Sequence, residues 1–210
     1  MATLNYPDQR NRVHINNEQI EIVLNGCRLN QRAAQKELYY SYYSFAMSIA
    51  LRYSASYDNA VEMVNDAFLR VYRDLKNFVP LFDTTAGSFV AWLKKLVVNA
   101  CIDYNRKYSK KEIMAGVDIE KGALADEREN DEQMSEHKLI IKSIQKLPPA
   151  YKLVYNLYVI EGFSHVEIAD KLNISEVTSK SNLFKARQML MQLLKEHNIV
   201  SVVDLQVKAE

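Results

Sequence analysis

The chain has 210 residues, of which 48% are hydrophobic, so it can form one or two domains with a real core. Its formal net charge of +1 excludes a protein that is basic throughout, and a nucleic-acid binder of this composition must segregate its cations locally. Two distant cysteines, Cys27 and Cys101, exclude a disulfide framework, and with no membrane-length apolar run or signal-peptide core we expect a cytoplasmic protein without membrane insertion.

The first part of the chain predicts two helices after a polar N-terminus. Residues 1–17 are polar, and we expect them to be loose. A short helix is predicted over 18–29, and a longer one over 31–53. The apolar residues of the longer helix recur near one face, which favours packing between helices. They are Ala34, Leu38, Tyr42, Phe45, Ile49 and Tyr53.

A third helix is predicted from Asp58, which can cap it, to about Phe78. Its apolar residues share one face and predict a buried side: Val61, Val64, Ala67, Phe68, Val71, Tyr72 and Leu75. The other face carries polar residues, among them Glu62, Asn65, Asp66 and Arg70. Such a face is usually solvated, and the alternative is an interface with a large partner.

A break over Val79–Ser88 separates this helix from a fourth. Pro80, Gly87 and a turn-like Asp-Thr-Thr run punctuate the break, and Ser88 is predicted to open the next helix. The helix has apolar residues at helical spacing and ends in a basic run that includes Arg106 and Lys107. Cations in a last turn complement the helix dipole, and they would equally serve as phosphate contacts.

The segment between Asp118 and Glu136 is acidic. Eight acidic residues stand there against two basic ones, which gives the segment a formal charge of −6 and leaves +7 on the rest of the chain. A polar, acidic stretch with few large apolar residues is typical of a linker. The sequence therefore predicts two basic helical domains, over 18–111 and 137–196, joined by an acidic linker over 112–136.

The C-terminal block predicts a helix-turn-helix. A helix over 137–146 precedes Pro148 and Pro149, which start another that ends near Gly162. Ser164 and Glu167 then have the spacing of a capping box. Asn173 can adopt the left-handed conformation that ends this helix, and Ser175 can cap the next.

The second helix of this motif is predicted to bury Val177, Leu183, Ala186 and Leu190. The predicted exposed residues are hydroxyls and charged groups: Glu176, Thr178, Ser179, Lys180, Ser181, Lys185 and Arg187. Short hydroxyls and long cations on one helical face suit base edges and phosphates. The alternative is an ordinary helical hairpin with a solvated outer face.

Three stretches in this order resemble the extracytoplasmic-function group of bacterial RNA polymerase sigma factors. DNAVEMVNDAFLRVYRDLKNF (58–78) is similar to the polymerase-binding helix, and SFVAWLKKLVVNACIDYNRK (88–107) to the helix that reads the minus-ten element. LPPAYKLVYNLYVIEGFSHVEIADKLNISEVTSKSNLFKAR (147–187) is similar to the domain that reads the minus-thirty-five element. The resemblance implies an all-α protein whose two domains are sigma regions 2 and 4.

The resemblance also implies functional residues. The set implied for core polymerase is Glu62, Asn65, Asp66 and Arg70. The set implied for the minus-ten element is Thr84, Thr85, Ser88, Asn99, Asp103, Arg106 and Lys107. The set implied for the minus-thirty-five element is Thr178, Lys180, Ser181, Phe184, Lys185 and Arg187. Phe184 would fit the core equally well.

The implied partners are promoter DNA, the beta-prime clamp and beta flap of core RNA polymerase, and an anti-sigma factor. No cofactor, metal or small-molecule substrate is expected, and the four scattered histidines pair with no nucleophile, so we do not expect an enzyme. Two alternatives remain open at this point. One is a stand-alone helix-turn-helix regulator, and the other is a sigma-like decoy that binds an anti-sigma factor.

Overall fold

The computed structural model describes residues 16–114 and 136–196. The predicted loose N-terminus, most of the acidic linker and the tail beyond Glu196 therefore lie outside the described residues. The described part is built from helices with no strand. The helices are α1 (Asn17–Arg28), α2 (Arg32–Tyr53), α3 (Tyr57–Asp74) with a 3₁₀ turn (Leu75–Asn77), α4 (Thr85–Met114), α5 (Glu136–Gln145), α6 (Pro149–Tyr155) with a π turn (Asn156–Ile160), α7 (His165–Leu172) and α8 (Glu176–Glu196).

The described residues fall into two compact units. The first takes in the residues up to Ala50 together with Ala60–Cys101, and the second takes in Leu51–Asn59 and the residues from Ile102 onward. The last turn of α2 and the turn after it thus group with the C-terminal helices. The all-α fold class predicted from the sequence is confirmed.

In the first unit, the residues that α3 contributes to the core lie on one face of the helix. The buried residues of α3 recur at intervals of three and four: Ala60, Met63, Val64, Ala67, Phe68 and Val71. The prediction that Asp58 caps this helix is wrong, because α3 already begins at Tyr57 and the Ser56 hydroxyl accepts a 3.2 Å hydrogen bond from the Asn59 amide. Ser56 is thus better placed than Asp58 to satisfy a first-turn amide.

The α1–α2 crossing needs a glycine. A Cβ atom on Gly26 would lie 2.6 Å from the Cβ of Ala34, which is far inside normal contact distance. Gly26 in α1 and the small Ala34 in α2 therefore let the two helices approach closely. At the other end of α1, Asn16 and Gln19 form a reciprocal capping box.

An aromatic cluster joins the loop before α4 to the first turns of that helix. The rings of Phe78 and Phe89 meet edge to face with centroids 5.9 Å apart, and Trp92 lies 5.2 Å from Phe78. The prediction that Ser88 opens the helix is wrong, since α4 begins at Thr85. The Thr84 hydroxyl accepts a 3.2 Å hydrogen bond from the Gly87 amide and serves as the cap.

In the second unit, side chains of the C-terminal helices satisfy backbone carbonyls at the end of α2. A helix end leaves carbonyls without a helical partner. Gln145 donates to the Leu51 carbonyl at 2.8 Å, and Asn156 donates to the Arg52 carbonyl at 3.0 Å. Arg52 also pairs with Glu161 at 3.1 Å, and both side chains are largely buried. These polar contacts fix the end of α2 against α5, α6 and the π turn.

The helix-turn-helix forms as the sequence predicts. Ser164 and Glu167 make the reciprocal capping box at the start of α7. Asn173 ends α7 in the left-handed conformation, with φ 54° and ψ 51°. The Ser175 hydroxyl then accepts a 3.0 Å hydrogen bond from the Thr178 amide at the start of α8. These three local predictions are confirmed.

The predicted rotation of α8 is wrong in its first turn. Val177 was expected to be buried and is 76% exposed, whereas Ser179 was expected to be exposed and is fully buried. Leu183, Ala186 and Leu190 are buried as predicted. Ser179 continues their stripe toward the helix start at the regular spacing, and its hydroxyl lies 2.9 Å from Nδ1 of His165. A hydrogen bond therefore lets a serine occupy a buried position.

Candidate nucleic-acid interface

The outer face of α8 carries most of the residues predicted to read the minus-thirty-five element. Thr178, Lys180, Ser181 and Lys185 are exposed. Lys180 forms an ion pair of 2.8 Å with Glu176 one turn earlier, so its ammonium group is held beside the helix start. The face therefore combines hydroxyl groups with exposed cations, the residue types that contact base edges and phosphates.

Phe184 and Arg187 occupy different environments on the same helix. Phe184 is 61% exposed, which excludes the alternative that it belongs to the core. Arg187 is partly buried, and its guanidinium lies 5.9 Å from the ring centre of Tyr158, a cation–π distance. Arg187 therefore leans on the body of the second unit, whereas Phe184 points outward from it.

His165 connects α7 to its neighbours on two sides. Its ring stacks on Tyr158 with centroids 4.4 Å apart and planes 22° apart, and Nδ1 meets the Ser179 hydroxyl. This contact fixes the first turn of α8 relative to α7 and to the π turn. The spacing of the sequence gives no signal for it, because it depends on three separate elements.

The hydrogen bonds of the capping box at the start of α7 stabilise the charged form of Glu167. The Ser164 amide and hydroxyl both donate to the Glu167 carboxylate at 2.8 Å. These hydrogen bonds lower the pKa of Glu167, and the ion pair with Lys180 likewise lowers the pKa of Glu176. Both carboxylates thus stay charged in the first turns of α7 and α8, where a negative charge suits the helix dipole.

In the first unit, Ser88 holds the loop that precedes α4. Its buried hydroxyl accepts hydrogen bonds from the amides of Leu81 at 3.0 Å and Phe82 at 2.9 Å, and donates to the Thr84 carbonyl at 2.9 Å. Thr85 donates to Glu21 of α1 at 2.8 Å. Thr84 is exposed, so among these three predicted minus-ten residues it is the one most open to solvent.

The same loop exposes two large apolar residues that the sequence reading did not select. Leu81 is 86% exposed and Phe82 is 60% exposed. Their backbone is fixed by Ser88 while their side chains stay in solvent. A signal for them was present, since both fall in the break where no helical stripe requires an apolar residue.

The remaining predicted minus-ten residues lie along α4. Asn99 is partly buried, and Lys107 is exposed. Arg106 donates to the carboxylate of Asp103 at 2.8 Å, one turn earlier. The Asp103–Arg106 pair orients the guanidinium along the helix surface.

The polar face of α3 keeps the predicted polymerase-binding residues together. Glu62, Asn65 and Asp66 are exposed, and Arg70 is partly so. The Tyr39 hydroxyl of α2 donates a 2.9 Å hydrogen bond to Asn65. The exposed residue next along the helical period is Leu69, which is 66% exposed and which the sequence reading did not select. A polar rim around an apolar side chain is typical of a protein interface.

Two further properties concern the part of the chain that the structure describes. Among residues 16–114 and 136–196, no three histidine, cysteine, aspartate or glutamate side chains group as a metal site would require. None of the helices found there combines the length and apolarity that crossing a membrane requires.

Two family models match the chain. Sigma-70 region 2 matches residues 38–111, and Sigma-70, region 4, matches residues 137–190. Together the two matches take in more than half of the chain.

Curated relatives carry names of the same kind. The chain is 29% identical over 162 residues to the ECF RNA polymerase sigma factor SigM of Bacillus subtilis, which covers 75% of this chain and 93% of SigM. It is 27% identical over 153 residues to the ECF RNA polymerase sigma-E factor of Escherichia coli K12, and the match covers 68% of this chain and 77% of that protein. With SigE of Mycolicibacterium smegmatis it is 27% identical over 154 residues, which is 71% of this chain but only 57% of that protein.

Among solved structures, the chain resembles the sigma factor RpoE of Bartonella quintana in complex with the anti-sigma factor NepR. The TM-score is 0.44 at 21% identity, covering 85% of this chain and 95% of that one. It also resembles CnrH in complex with the cytosolic domain of CnrY. The TM-score is 0.40 at 20% identity, and the match covers 83% of this chain and 96% of that one.

Proposed function

Because the chain belongs to the extracytoplasmic-function group of the sigma-70 family, we propose that its two matched regions divide the work of transcription initiation. The domain over 18–111 binds core polymerase and the minus-ten element, and the domain over 137–196 binds the minus-thirty-five element. The observation that carries the proposal is the presence of region 2 and region 4 in this order in one chain. A stand-alone helix-turn-helix regulator would not need the first of them.

Core polymerase binds the outer face of α3 in this proposal. Glu62, Asn65, Asp66 and Arg70 supply the polar contacts, and the exposed Leu69 supplies apolar area. The hydrogen bond from Tyr39 holds Asn65 in place before binding, which lowers the ordering cost of the interface. The beta-prime clamp is the proposed partner of this face, and the beta flap is the proposed partner of the C-terminal domain.

The loop before α4 and the helix itself read the minus-ten element in this proposal. The exposed Thr84 contacts the DNA directly, while Ser88 positions the loop backbone from its buried site. Arg106 and Lys107 supply positive charge farther along α4. An unstacked base held beside this loop would convert duplex opening into binding energy.

The helix-turn-helix places α8 in the major groove at the minus-thirty-five element. Thr178, Lys180, Ser181, Phe184 and Lys185 have the exposure that this role requires. Arg187 would have to leave Tyr158 to reach a phosphate. Lys185 lies at the same distance from the ring of Tyr151 but is exposed, so of these two cations Arg187 contributes less.

The protein acts as an initiation factor, and we propose that it performs no chemistry of its own. Its place of action is the cytoplasm, where core polymerase and promoter DNA are. An anti-sigma factor remains a proposed regulatory partner.

Run-off transcription tests the proposal. Purified bacterial core polymerase is incubated with and without the full chain on a pool of promoter fragments from the source genome. We expect discrete starts that depend on the protein and that are lost with Asp66→Arg. The matched control is Glu37→Arg, which makes the same charge change at an exposed position of α2.

The possible outcomes separate the alternatives. A stable complex with core polymerase that gives no starts would favour a sigma-like decoy. If neither a complex nor starts are found, the sigma assignment of function is overturned.

A further inference from the structure

Between Val177 and Gln188, the surface of α8 that lies opposite its buried stripe is neutral rather than basic. The buried residues of the helix begin with Ser179, Leu183, Ala186 and Leu190. At 100° per residue, the line on the opposite side consists of Val177, Ser181, Phe184 and Gln188. All four are exposed, Val177 by 76% and Phe184 by 61%. Two large apolar side chains thus protrude where a recognition helix faces the base edges.

The cations of α8 stand beside this line and not on it. Lys180 and Lys185 lie about 70° to either side of the line on the helical period. Both are exposed, which suits contact with the phosphates that border the groove. The charge pattern therefore matches a groove in which phosphates flank the helix and base edges meet its centre.

The chemistry of the central line restricts which bases it can read. Guanine is read most often by the bidentate donors of arginine or lysine, and no such residue stands on the line between Val177 and Gln188. Apolar side chains instead contact the C5-methyl group of thymine, which is the apolar feature of the major groove. A serine hydroxyl, as at Ser181, is compatible with any base.

We propose that Val177 and Phe184 are specificity residues that read two thymine methyl groups in the minus-thirty-five element. The proposal rests on the proposed function, since it assumes that α8 enters the major groove there. Val177 and Phe184 are seven residues apart, which is about 10 Å along the helix axis. That length corresponds to at most about three base-pair steps, because a helix that lies in the major groove is inclined to the DNA axis. The two thymines, on either strand, therefore lie about two to three base pairs apart.

Replacement of thymine by deoxyuridine tests this directly, because uracil keeps the base pair and lacks only the methyl group. Holoenzyme, formed from core polymerase and the full chain, is titrated with promoter DNA found by the run-off experiment. Each thymine of the minus-thirty-five element is replaced singly. We expect about fourfold weaker binding at two positions, the factor that loss of one buried methyl group produces, and no change at the others.

Variants assign each methyl group to its residue. With Val177→Ala, deoxyuridine at one of the two positions should no longer weaken binding, and with Phe184→Ala the same should hold at the other. The matched control is Val166→Ala, at a valine of α7 that is 58% exposed. It should leave both effects unchanged.

The outcomes separate this proposal from the proposed function. Normal initiation with no deoxyuridine effect, or a minus-thirty-five element without thymine, overturns the methyl readout and leaves the sigma function standing. Equal deoxyuridine effects in wild type and both variants overturn it as well. Weaker binding of Val177→Ala to core polymerase, with unchanged DNA selectivity, would make the apolar line a protein contact instead. No initiation at all would overturn both proposals together.

Discussion

The ammonium group of Lys152 donates a 3.2 Å hydrogen bond to the carbonyl oxygen of Ser54, and only 4% of Lys152 is exposed. Burial of this cation lowers the pKa of Lys152 from 10.5 to about 8. Lys152 belongs to α6 and Ser54 follows α2, so the hydrogen bond joins two distant parts of the second unit.

Lys152 should make stability rise with pH above 8. Between pH 8 and 10 the unfolded chain binds a proton at Lys152 that the folded chain has lost, so the free energy of unfolding increases by about 2 kcal/mol. Lys152→Met should remove this gain. Urea unfolding of the wild type and of Lys152→Met at pH 7, 8, 9 and 10 gives the difference in their free energies of unfolding. Buried tyrosines and Cys27, whose pKa values are raised, contribute equally to both proteins and cancel in this difference. Parallel stability curves would contradict the prediction.

Leu69→Ser should weaken binding to core polymerase about tenfold, as expected when a central apolar contact of an interface is removed. The fold should not change, because Leu69 is 66% exposed. Titration of labelled protein with core polymerase gives the affinity. Ile22→Ser is the control, at an exposed apolar residue of α1 that is 72% exposed. If the two variants bind equally well, Leu69 is not part of the interface.

Ser88→Ala should loosen the loop before α4 without unfolding the first unit. The amides of Leu81 and Phe82 lose their acceptor, and each such hydrogen bond contributes about 1 kcal/mol. Hydrogen exchange at these two amides should therefore accelerate about fivefold, and promoter opening should fall with it. Ser44→Ala, at an exposed serine of α2, is the control. Unchanged exchange at both amides would show that another group holds the loop.

Asn173→Ala should destabilise the helix-turn-helix by about 1 kcal/mol, because an alanine side chain is strained in the left-handed conformation. Asn173→Gly should leave stability unchanged or raise it slightly, since glycine adopts this conformation freely. Thermal unfolding gives the melting temperatures of both variants, which are compared with that of the wild type. An equal loss of stability in both would mean that the asparagine side chain itself is required.

Local signals in the sequence predicted the helix-turn-helix because each acts within a few residues. The Ser164–Glu167 box, the left-handed Asn173 and the Ser175 cap depend on neighbouring backbone groups alone, and all three are confirmed. The same reasoning failed where two local solutions compete. Ser56 and Asp58 both suit a cap, as do Thr84 and Ser88, and residue preference alone does not choose between them. In the structure the caps are Ser56 and Thr84, whose hydroxyls accept hydrogen bonds from the first-turn amides.

Rotation of α8 could not be predicted from apolarity. A buried serine needs a partner, and the partner of Ser179 is His165 in another helix, which no periodicity reveals. The exposed Val177 and Leu69 were missed for the opposite reason. An apolar residue is assigned to the core by default, although a binding surface also uses such residues.

The ion pair between Lys180 and Glu176 has a consequence for the salt dependence of promoter binding. A lysine that approaches a phosphate displaces a condensed counterion from the DNA, and this release makes affinity fall as salt rises. Lys180 already has a carboxylate 2.8 Å away, so its approach to DNA exchanges one anion for another and brings Glu176 toward the phosphates. The number of cations on α8 therefore overstates how steeply its binding depends on ionic strength.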